Sequence, residues 1–162
     1  MAKESEAGSC EFCSAEAREG AFAEQGEFLA LYNISPIVPG HSLVIPKRHE
    51  TCLTGLSRDE LGDFFSFGRE VTDFIVRTYG AEGYDWTVQQ SEIAGQSVPH
   101  LHLHVIPRKP NDLDKDWHDE LEESHKDGQR RRLTQDQMVD IARRLRAEAA
   151  EVGLWEGPDT SI

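Results

Sequence analysis

Apolar and polar residues follow two different periods along the chain, and these periods predict the secondary structure. Residues 28–34 and 41–46 are apolar and rich in residues that favour strands, and a turn with two prolines and a glycine separates them. Two such runs around a Pro/Gly turn favour a β-hairpin. Residues 84–91 and 100–106 predict two further strands, which a glycine-containing loop joins.

Two capping boxes predict where helices begin. They are residues 57–60 (SRDE) and 134–137 (TQDQ), in which two side chains satisfy the first free amides of a helix. Apolar residues then recur at helical spacing as far as Gly80 in the first helix and close to Gly153 in the second. The chain therefore mixes strands with two long amphipathic helices, which is typical of an α+β domain.

The chain shows no internal repeat and no linker that would divide it. Its 162 residues suit one domain, 1–162, with a core large enough to fold without disulfides. Residues 1–27 are interpreted as a polar N-terminal arm. Residues 111–162 form a C-terminal extension, in which the charged segment 111–130 predicts an exposed loop with a short helix before the second long helix.

Composition excludes several classes of protein. There are 17 basic and 30 acidic residues, for a formal net charge of −13, which weighs against a nucleic-acid partner. No apolar run approaches the 18 residues of a membrane span, and the first residues resemble no secretory signal. Three cysteines favour reduced thiols over a disulfide framework, so we expect a cytoplasmic protein.

The densest candidate chemistry is a run of alternating histidines, His100, His102 and His104. Side chains alternate across a strand, so the three imidazoles share one face while Leu101, Leu103 and the residue after His104 share the other. Neighbouring histidines then lie about 7 Å apart and the outer two about 13 Å. A row of this length suits an elongated anion such as a polyphosphate better than one metal ion. A metal-binding pair with a third, uninvolved histidine is the alternative.

The segment around these histidines resembles a known signature. Residues 95–107 (GQSVPHLHLHVIP) resemble the motif of the histidine-triad (HIT) superfamily, and residues 33–49 resemble that family's other diagnostic stretch. The spacing of Gln89 and Gln96 and the long extension are most similar to the Fhit branch, and the resemblance covers about residues 10–110. It implies an α+β fold with a five-stranded antiparallel sheet, a long helix packed on it, a C-terminal helix and a twofold homodimer.

The resemblance also implies a reaction. His102 would attack the α-phosphorus of a dinucleoside polyphosphate, and water would hydrolyse the covalent nucleotidyl-histidine, with His100 and His104 completing the triad. An adenine nucleotide or diadenosine polyphosphate is the implied substrate. The alternatives are a purine nucleoside phosphoramidase, a nucleotide sensor with incidental turnover and a hydrolase with a catalytic zinc. The implied nucleotide-binding residues are Asn33, Gln89, Gly95, Gln96, Ser97, Val98 and His104.

Each of these polar residues also has a structural interpretation. Gln89 and Gln96 could be solvated, Asn33 could serve only the turn that follows it, and His41 could support the site without touching substrate. An acidic loop, 111–127, could lie over the leaving-group side of the site.

A Cys-x-x-Cys motif at Cys10 and Cys13 is a second candidate site. By itself it fits a zinc knuckle, a redox pair or chance. The resemblance to zinc-bearing bacterial HIT proteins implies that His49 and His100 complete a structural zinc site with the two cysteines. No organic cofactor is implied.

The acidic residues are unevenly distributed. Residues 28–49 and 93–111 contain no Asp or Glu, although they include several basic residues and most of the histidines. These two segments are the ones that the resemblance assigns to nucleotide binding. The net charge therefore does not argue against an anionic substrate.

Overall fold

The computed structural model describes residues 10–113, 116–126 and 132–155. The start of the arm, parts of the acidic loop and the end of the extension lie outside these described residues. None of the helices in the described ranges has the length and apolar character that a membrane span needs. The elements are α1 (Ala15–Glu19), β1 (Ala21–Gln25), β2 (Phe28–Tyr32), β3 (Ser42–Pro46), α2 (Arg58–Tyr79), β4 (Gly83–Val88), β5 (Leu103–Arg108), α3 (Trp117–Lys126) and α4 (Gln135–Glu151).

The strands form one antiparallel sheet. The strand order is β1-β2-β3-β5-β4, and each neighbouring pair runs antiparallel. The predicted hairpin is β2–β3, and the predicted five-stranded α+β architecture is confirmed. β3 pairs with β5 across the long connection that contains α2, and this pairing places Leu43 opposite His104. Cross-strand neighbours share a face, so His104 lies on the same face as Leu43.

Both predicted long helices are present. α2 begins after a complete capping box formed by Ser57 and Glu60, and it ends at Gly80, whose φ of 62° is left-handed. α4 begins after the second capping box, in which Thr134 accepts from the backbone amide of Gln137. Local sequence signals therefore define these ends, as expected for caps that satisfy otherwise free backbone groups.

The two faces of the sheet have different partners. α2 and α4 cover one face and bury the larger apolar cluster, to which β5 contributes Leu103 and Val105. The second, smaller cluster lies on the opposite face and includes Leu31, Leu43 and Ile45. Phe12 and Ala17 of the arm pack against that smaller cluster, so the arm covers the face that carries His104.

The arm contains more structure than the sequence predicts. Residues 21–25 form strand β1, with Phe22 fully buried, and the Arg146 guanidinium of α4 donates to the Ala21 carbonyl. Only one large apolar residue marks this strand, so its periodicity is too weak to predict it. Its stability depends on pairing with β2 and on cover from α4, which are contacts distant in sequence.

The histidine strand is shorter than predicted. β5 begins at Leu103, so His100 and His102 precede it. The alternation still holds, because Leu101, Leu103 and Val105 are all buried in the larger cluster. The His100 carbonyl, instead of joining a strand ladder, accepts from the His102 side chain.

Candidate active site

A cavity of about 720 Å³ lies on the face of the sheet that the arm covers. His102 and His104 line it, together with the predicted nucleotide-binding residues Asn33, Ser97 and Val98. These five residues come from three separate segments of the chain, which the antiparallel order of the strands brings together. A concave site of this size suits a nucleotide-sized ligand.

The tautomer of His102 is set by one short hydrogen bond. Its Nδ1 lies 2.7 Å from the His100 carbonyl oxygen, which can only accept, so Nδ1 carries the proton. A neutral ring then has its lone pair on Nε2. His102 is only 3% exposed, and this orientation leaves the unprotonated nitrogen as the nucleophilic atom of the cavity.

His104 has the opposite tautomer. The Ile37 amide donates to His41 Nδ1 at 3.2 Å, so His41 carries its proton on Nε2, which lies 2.9 Å from His104 Nδ1. His104 Nδ1 therefore accepts, and the neutral His104 ring carries its proton on Nε2. The Asn33 amide nitrogen also lies 3.2 Å from His41 Nε2, but it cannot donate to a protonated nitrogen. His41 is fully buried and contacts His104, and its supporting role stays a prediction.

His100 does not share a ligand row with the other two histidines. Its side chain is fully buried among groups that lie outside the cavity lining: Nε2 lies 2.9 Å from the Pro46 carbonyl, and Nδ1 lies 3.4 Å from Cys10 Sγ and 3.5 Å from Cys13 Sγ. The expectation of three imidazoles along one polyphosphate is wrong for this residue. His100 instead lies against Cys10 and Cys13, outside the cavity lining that His102 and His104 share.

The four residues implied as metal ligands do come together. The ligand atoms of Cys10, Cys13, His49 and His100 all lie within 4.8 Å of one another, and Cys13 Sγ lies 3.4 Å from His49 Nδ1. In a tetrahedral zinc site with bonds of about 2.3 Å to sulfur and about 2.0–2.1 Å to nitrogen, neighbouring ligand atoms lie about 3.5 Å apart. The described residues therefore fit a four-coordinate metal.

The electrostatics of this cluster favour a cation. Burial lowers the pKa of His100 to about 4, so its Nδ1 lone pair is available at neutral pH, while the Pro46 carbonyl accepts the proton on Nε2. Burial, and then the neighbouring Cys10, raise the pKa of Cys13 to about 11. The Cys13 thiol therefore stays protonated on its own, and a bound cation would reverse this by stabilising the thiolate.

The loop that contains Gly95 and Gln96 supports the cavity-lining residues that follow it. The Gln96 amide donates to the Thr51 and His100 carbonyls, and its oxygen accepts from the Ser91 amide. Gly95 has a φ of 93°, and a Cβ there would overlap the Gln89 amide. These three predicted nucleotide-binding residues, Gln89, Gly95 and Gln96, are absent from the cavity lining and hold the loop that carries Ser97 and Val98.

The sequence analysis missed part of the cavity wall. Phe12 and Glu11 of the arm line it on one side, and Leu121, Arg132 and residues of α4 line it on another. No motif marks these residues, and their position depends on how the arm and the extension pack. Leu121 belongs to the predicted acidic loop, 111–127, and its position over the leaving-group side of the site stays a prediction.

Three of the four basic residues in the acid-free segments form ion pairs with carboxylates. Lys47 pairs with Glu24, Arg48 with Glu60, and Arg108 with Asp85 and a second aspartate. None of these three cations lines the cavity. Arg132, from the extension, is the cation of the described cavity lining, so the lining offers an anion mainly neutral donors.

Comparison with known proteins identifies the family. The sequence profile of the HIT domain matches residues 14–111. The chain is 43% identical over 84 residues to the bis(5'-nucleosyl)-tetraphosphatase [asymmetrical] of Schizosaccharomyces pombe, covering 52% of this chain and 46% of that protein. It is 34% identical over 85 residues to the bis(5'-adenosyl)-triphosphatase of Dictyostelium discoideum, covering 52% of this chain and 57% of that one. The chain thus spans about half the length of these relatives.

Solved structures share the fold. A zinc-bound histidine triad family protein from Mycobacterium smegmatis is 26% identical with a TM-score of 0.68, covering 91% of this chain and 97% of that one. The diadenosine triphosphate hydrolase of Plasmodium falciparum is 21% identical with a TM-score of 0.67, covering 82% and 78%, and shows likeness of fold alone. The profile match covers most of the sheet, α2 and all three histidines of the triad, and the chain belongs to the HIT domain family.

Proposed function

We propose that this protein hydrolyses dinucleoside polyphosphates by forming a covalent nucleotidyl-histidine on His102. The observation that carries the proposal is the 2.7 Å hydrogen bond from His102 Nδ1 to the His100 carbonyl. It leaves the Nε2 lone pair of a cavity-lining imidazole available for attack. The names of the S. pombe and D. discoideum relatives support a diadenosine or other dinucleoside polyphosphate as substrate.

The proposed reaction has two steps. His102 Nε2 attacks the α-phosphorus, an N–P bond forms, and the P–O bond to the remaining polyphosphate breaks. Water then attacks the same phosphorus, and the electron pair of the N–P bond returns to Nε2. The His104 Nε2–H donates to a phosphate oxygen, where negative charge develops in both transition states. Splitting one displacement into two is the advantage of the covalent route.

The cavity lining supports assignments for the nucleotide. Asn33 lies at one side and is proposed to bind the ribose hydroxyls, while Ser97 and the backbone at Val98 are proposed to bind phosphate oxygens. Gln89 remains a proposal near the bridging phosphates. Its buried Oε1 has no hydrogen-bond partner among the described residues and can accept from a water molecule.

Product analysis tests the function. The protein is incubated with diadenosine triphosphate, diadenosine tetraphosphate and an adenosine phosphoramidate, and the products and rates are compared. We expect AMP and the matching ADP or ATP from the first two. Faster cleavage of the phosphoramidate would instead support a phosphoramidase, and binding without turnover would support a sensor.

A matched pair of variants completes this test. His102→Asn should abolish turnover and retain nucleotide binding. His118→Asn makes the same change on α3 at a residue absent from the cavity lining, and it should leave the rate unchanged. Turnover by His102→Asn at the wild-type rate would contradict the proposal.

We also propose that the cluster of Cys10, Cys13, His49 and His100 binds a structural zinc ion. Four protein ligands leave no open position for substrate, which argues against a catalytic zinc. When bound, the ion would fix the arm against the sheet and hold His100 beside the nucleophile. The zinc-bound relative from M. smegmatis supports the choice of metal.

A homodimer is proposed through the exposed face of β4 and α2. β4 is at the edge of the sheet, so one side of its backbone is not paired within the described chain. Tyr84 is 54% exposed beside Trp86, and Phe65 stacks on Trp86 with a centroid distance of 6.1 Å. An open edge beside an aromatic surface is the kind of face that a second copy can cover in an antiparallel, twofold pairing.

A cytoplasmic location remains a prediction from the sequence. The three cysteines are free thiols, which supports a reducing compartment. Fractionation of the source cells tests the location. Finding the protein in an oxidising compartment would contradict the prediction.

A further inference from the structure

Phe12 lies at the junction of three parts of the molecule. It lies between Cys10 and Cys13, lines the cavity, and packs against the apolar cluster beneath the arm. Its ring also meets two members of the triad edge-on. The centroid distances are 5.7 Å to His100, at an interplanar angle of 84°, and 5.4 Å to His102, at 75°.

We propose that Phe12 is a positioning residue, whose ring fixes the orientation of the His102 imidazole for attack. The inference rests on the proposed function of His102 as nucleophile. It gives the arm a role beyond that of the candidate metal ligands, because the Phe12 ring contacts the proposed nucleophile directly.

The orientation of His102 depends on ring contacts as well as on the hydrogen bond from Nδ1. Flipping the ring about χ2 would place Cε1 where Nε2 lies and Cδ2 where Nδ1 lies. A carbon atom would then face the phosphorus, and the hydrogen bond that fixes the tautomer would be lost. The 2.7 Å bond to the His100 carbonyl opposes this rotation. The His104 ring, at 4.8 Å and 75°, contacts the same imidazole, and Phe12 supplies an apolar contact that neither of these polar partners can replace.

Phe12 is itself well held. The neighbouring Cys10 is buried, and Cys13 Sγ lies within hydrogen-bond distance of His49 Nδ1 and His100 Nδ1. The apolar cluster holds the other side of the ring. A rigid support matters, since misplacing a reacting group by about 1 Å can lower a rate about 100-fold.

Three variants separate positioning from packing. Phe12→Leu keeps an apolar side chain and removes the aromatic edge, while Phe12→Tyr keeps the ring. Ile45→Val removes one methyl group from the same apolar cluster, and Ile45 is absent from the cavity lining. It therefore serves as the control for a general loss of packing.

Steady-state kinetics with a diadenosine polyphosphate gives the first measurement. We expect Phe12→Leu to lower kcat by about 10-fold to 100-fold with KM nearly unchanged. Phe12→Tyr should have most of the wild-type kcat. Ile45→Val should keep the wild-type kcat even if its melting temperature is lower. An unchanged kcat for Phe12→Leu would overturn the proposal. A rise in KM with no change in kcat would also overturn it, because that result would show that Phe12 contacts the nucleobase of the substrate.

Nitrogen NMR of the imidazoles gives a second measurement that does not depend on activity. In wild-type protein His102 should show one neutral tautomer with the proton on Nδ1, and Phe12→Leu should show a mixture. A single unchanged tautomer in Phe12→Leu would refute the positioning role. If the wild-type protein cleaves no dinucleoside polyphosphate, the proposed function fails, and the NMR result alone decides for or against Phe12.

Discussion

At the scale of single residues, two neighbouring histidines are held in opposite tautomers by different backbone groups. A carbonyl, that of His100, places the proton of His102 on Nδ1. An amide, that of Ile37, acts through His41 and places the proton of His104 on Nε2. One ring therefore presents a lone pair and the other a donor, which is the combination that attack on a phosphoryl group requires.

Replacing His41 tests this arrangement. His41→Leu removes the donor to His104 Nδ1, so His104 can adopt either tautomer and its donation to phosphate weakens. We expect kcat to fall about 10-fold to 100-fold. Ser42→Ala is the control, because Ser42 is equally buried and donates only to the Gly40 carbonyl. An unchanged kcat for His41→Leu would show that the His41–His104 contact has no role in the reaction.

The sequence predicts which residues carry the chemistry better than it predicts where they point. The triad, Asn33 and the four metal-ligand candidates were identified from motifs, and the structure brings each of them into one of two adjacent clusters. The resemblance implied that His100 belongs with the cysteines, and the structure places it there. The alternation alone did not predict this separation, because it places all three imidazoles on one face. The tautomers depend on backbone groups of the folded chain, which no sequence motif records.

At the scale of elements, the arm is held by side chains rather than by its own short helix. α1 has only five residues, and Cys10 and Cys13 connect the arm to His49 and His100. We expect Cys13→Ser to abolish stoichiometric zinc and to lower stability by about 2.7 kcal/mol where free zinc is 100-fold above its Kd for the wild type. Metal analysis and thermal melting measure both.

Cys52→Ser is the matched control for the zinc prediction. Cys52 is a free thiol outside the cluster, and its Sγ contacts the Thr54 hydroxyl at 3.1 Å. This variant should keep zinc and stability. Protein purified without added zinc that contains none, together with a Cys13→Ser variant as stable as wild type, would contradict the zinc proposal.

A second element-scale feature is the ion cluster at the end of β5. Arg108 donates to Asp85 on β4 at 2.7 Å and to both carboxylate oxygens of Asp112 at 2.9 Å. The Arg108 hydrogen bonds lower the pKa of Asp112. A lowered pKa in the folded state stabilises the protein above the unfolded value of about 3.9, and this contribution is lost as the pH falls through the folded-state pKa.

Asp112→Asn should therefore lower the free energy of unfolding by about 1–2 kcal/mol at pH 7, with a smaller difference from wild type at acid pH. Asp140→Asn, which disrupts an ion pair between side chains that are both 72% exposed, should change stability little. Denaturant unfolding at pH 7 and pH 3 measures both variants. A constant difference across that range would refute the linkage.

The helices and strands differ in whether local sequence patterns or contacts distant in sequence determine them. α2, α4 and the β2–β3 hairpin were predicted because caps, turns and periodicity act within a few residues. β1 was missed, because five residues with one large apolar side chain become a strand only through β2 and α4. The wall of the cavity depends on the arm and the extension meeting, and no local pattern encodes that.

At the scale of the whole molecule, the charge of −13 is compatible with an anionic ligand because the site relies on neutral groups. The described cavity lining includes Glu11, Glu16 and Arg132, so its ionic groups do not by themselves attract phosphate. Imidazoles and amides inside a concave site provide hydrogen-bond donors without a large positive electrostatic potential. Binding should therefore depend less on salt than for a site built from lysines and arginines.

The oligomeric state is tested at the exposed aromatic face. Tyr84→Glu places a charge beside Trp86 at the edge of the sheet, and we expect it to convert a dimer into a monomer in light scattering after size exclusion. Leu154→Glu is the control, since Leu154 is an exposed apolar residue that follows α4. A wild-type monomer, or a dimeric Tyr84→Glu variant, would contradict the proposed interface.

The central claim is that His102 forms a covalent bond to the substrate phosphorus. Rapid mixing with diadenosine triphosphate, a denaturing quench at alkaline pH and mass spectrometry of the digested protein measure it most directly. We predict a transient adduct of one AMP residue on the peptide that contains His102, and none in His102→Asn. Full hydrolysis with no adduct on His102 at any time, or an adduct on another residue, would contradict the account.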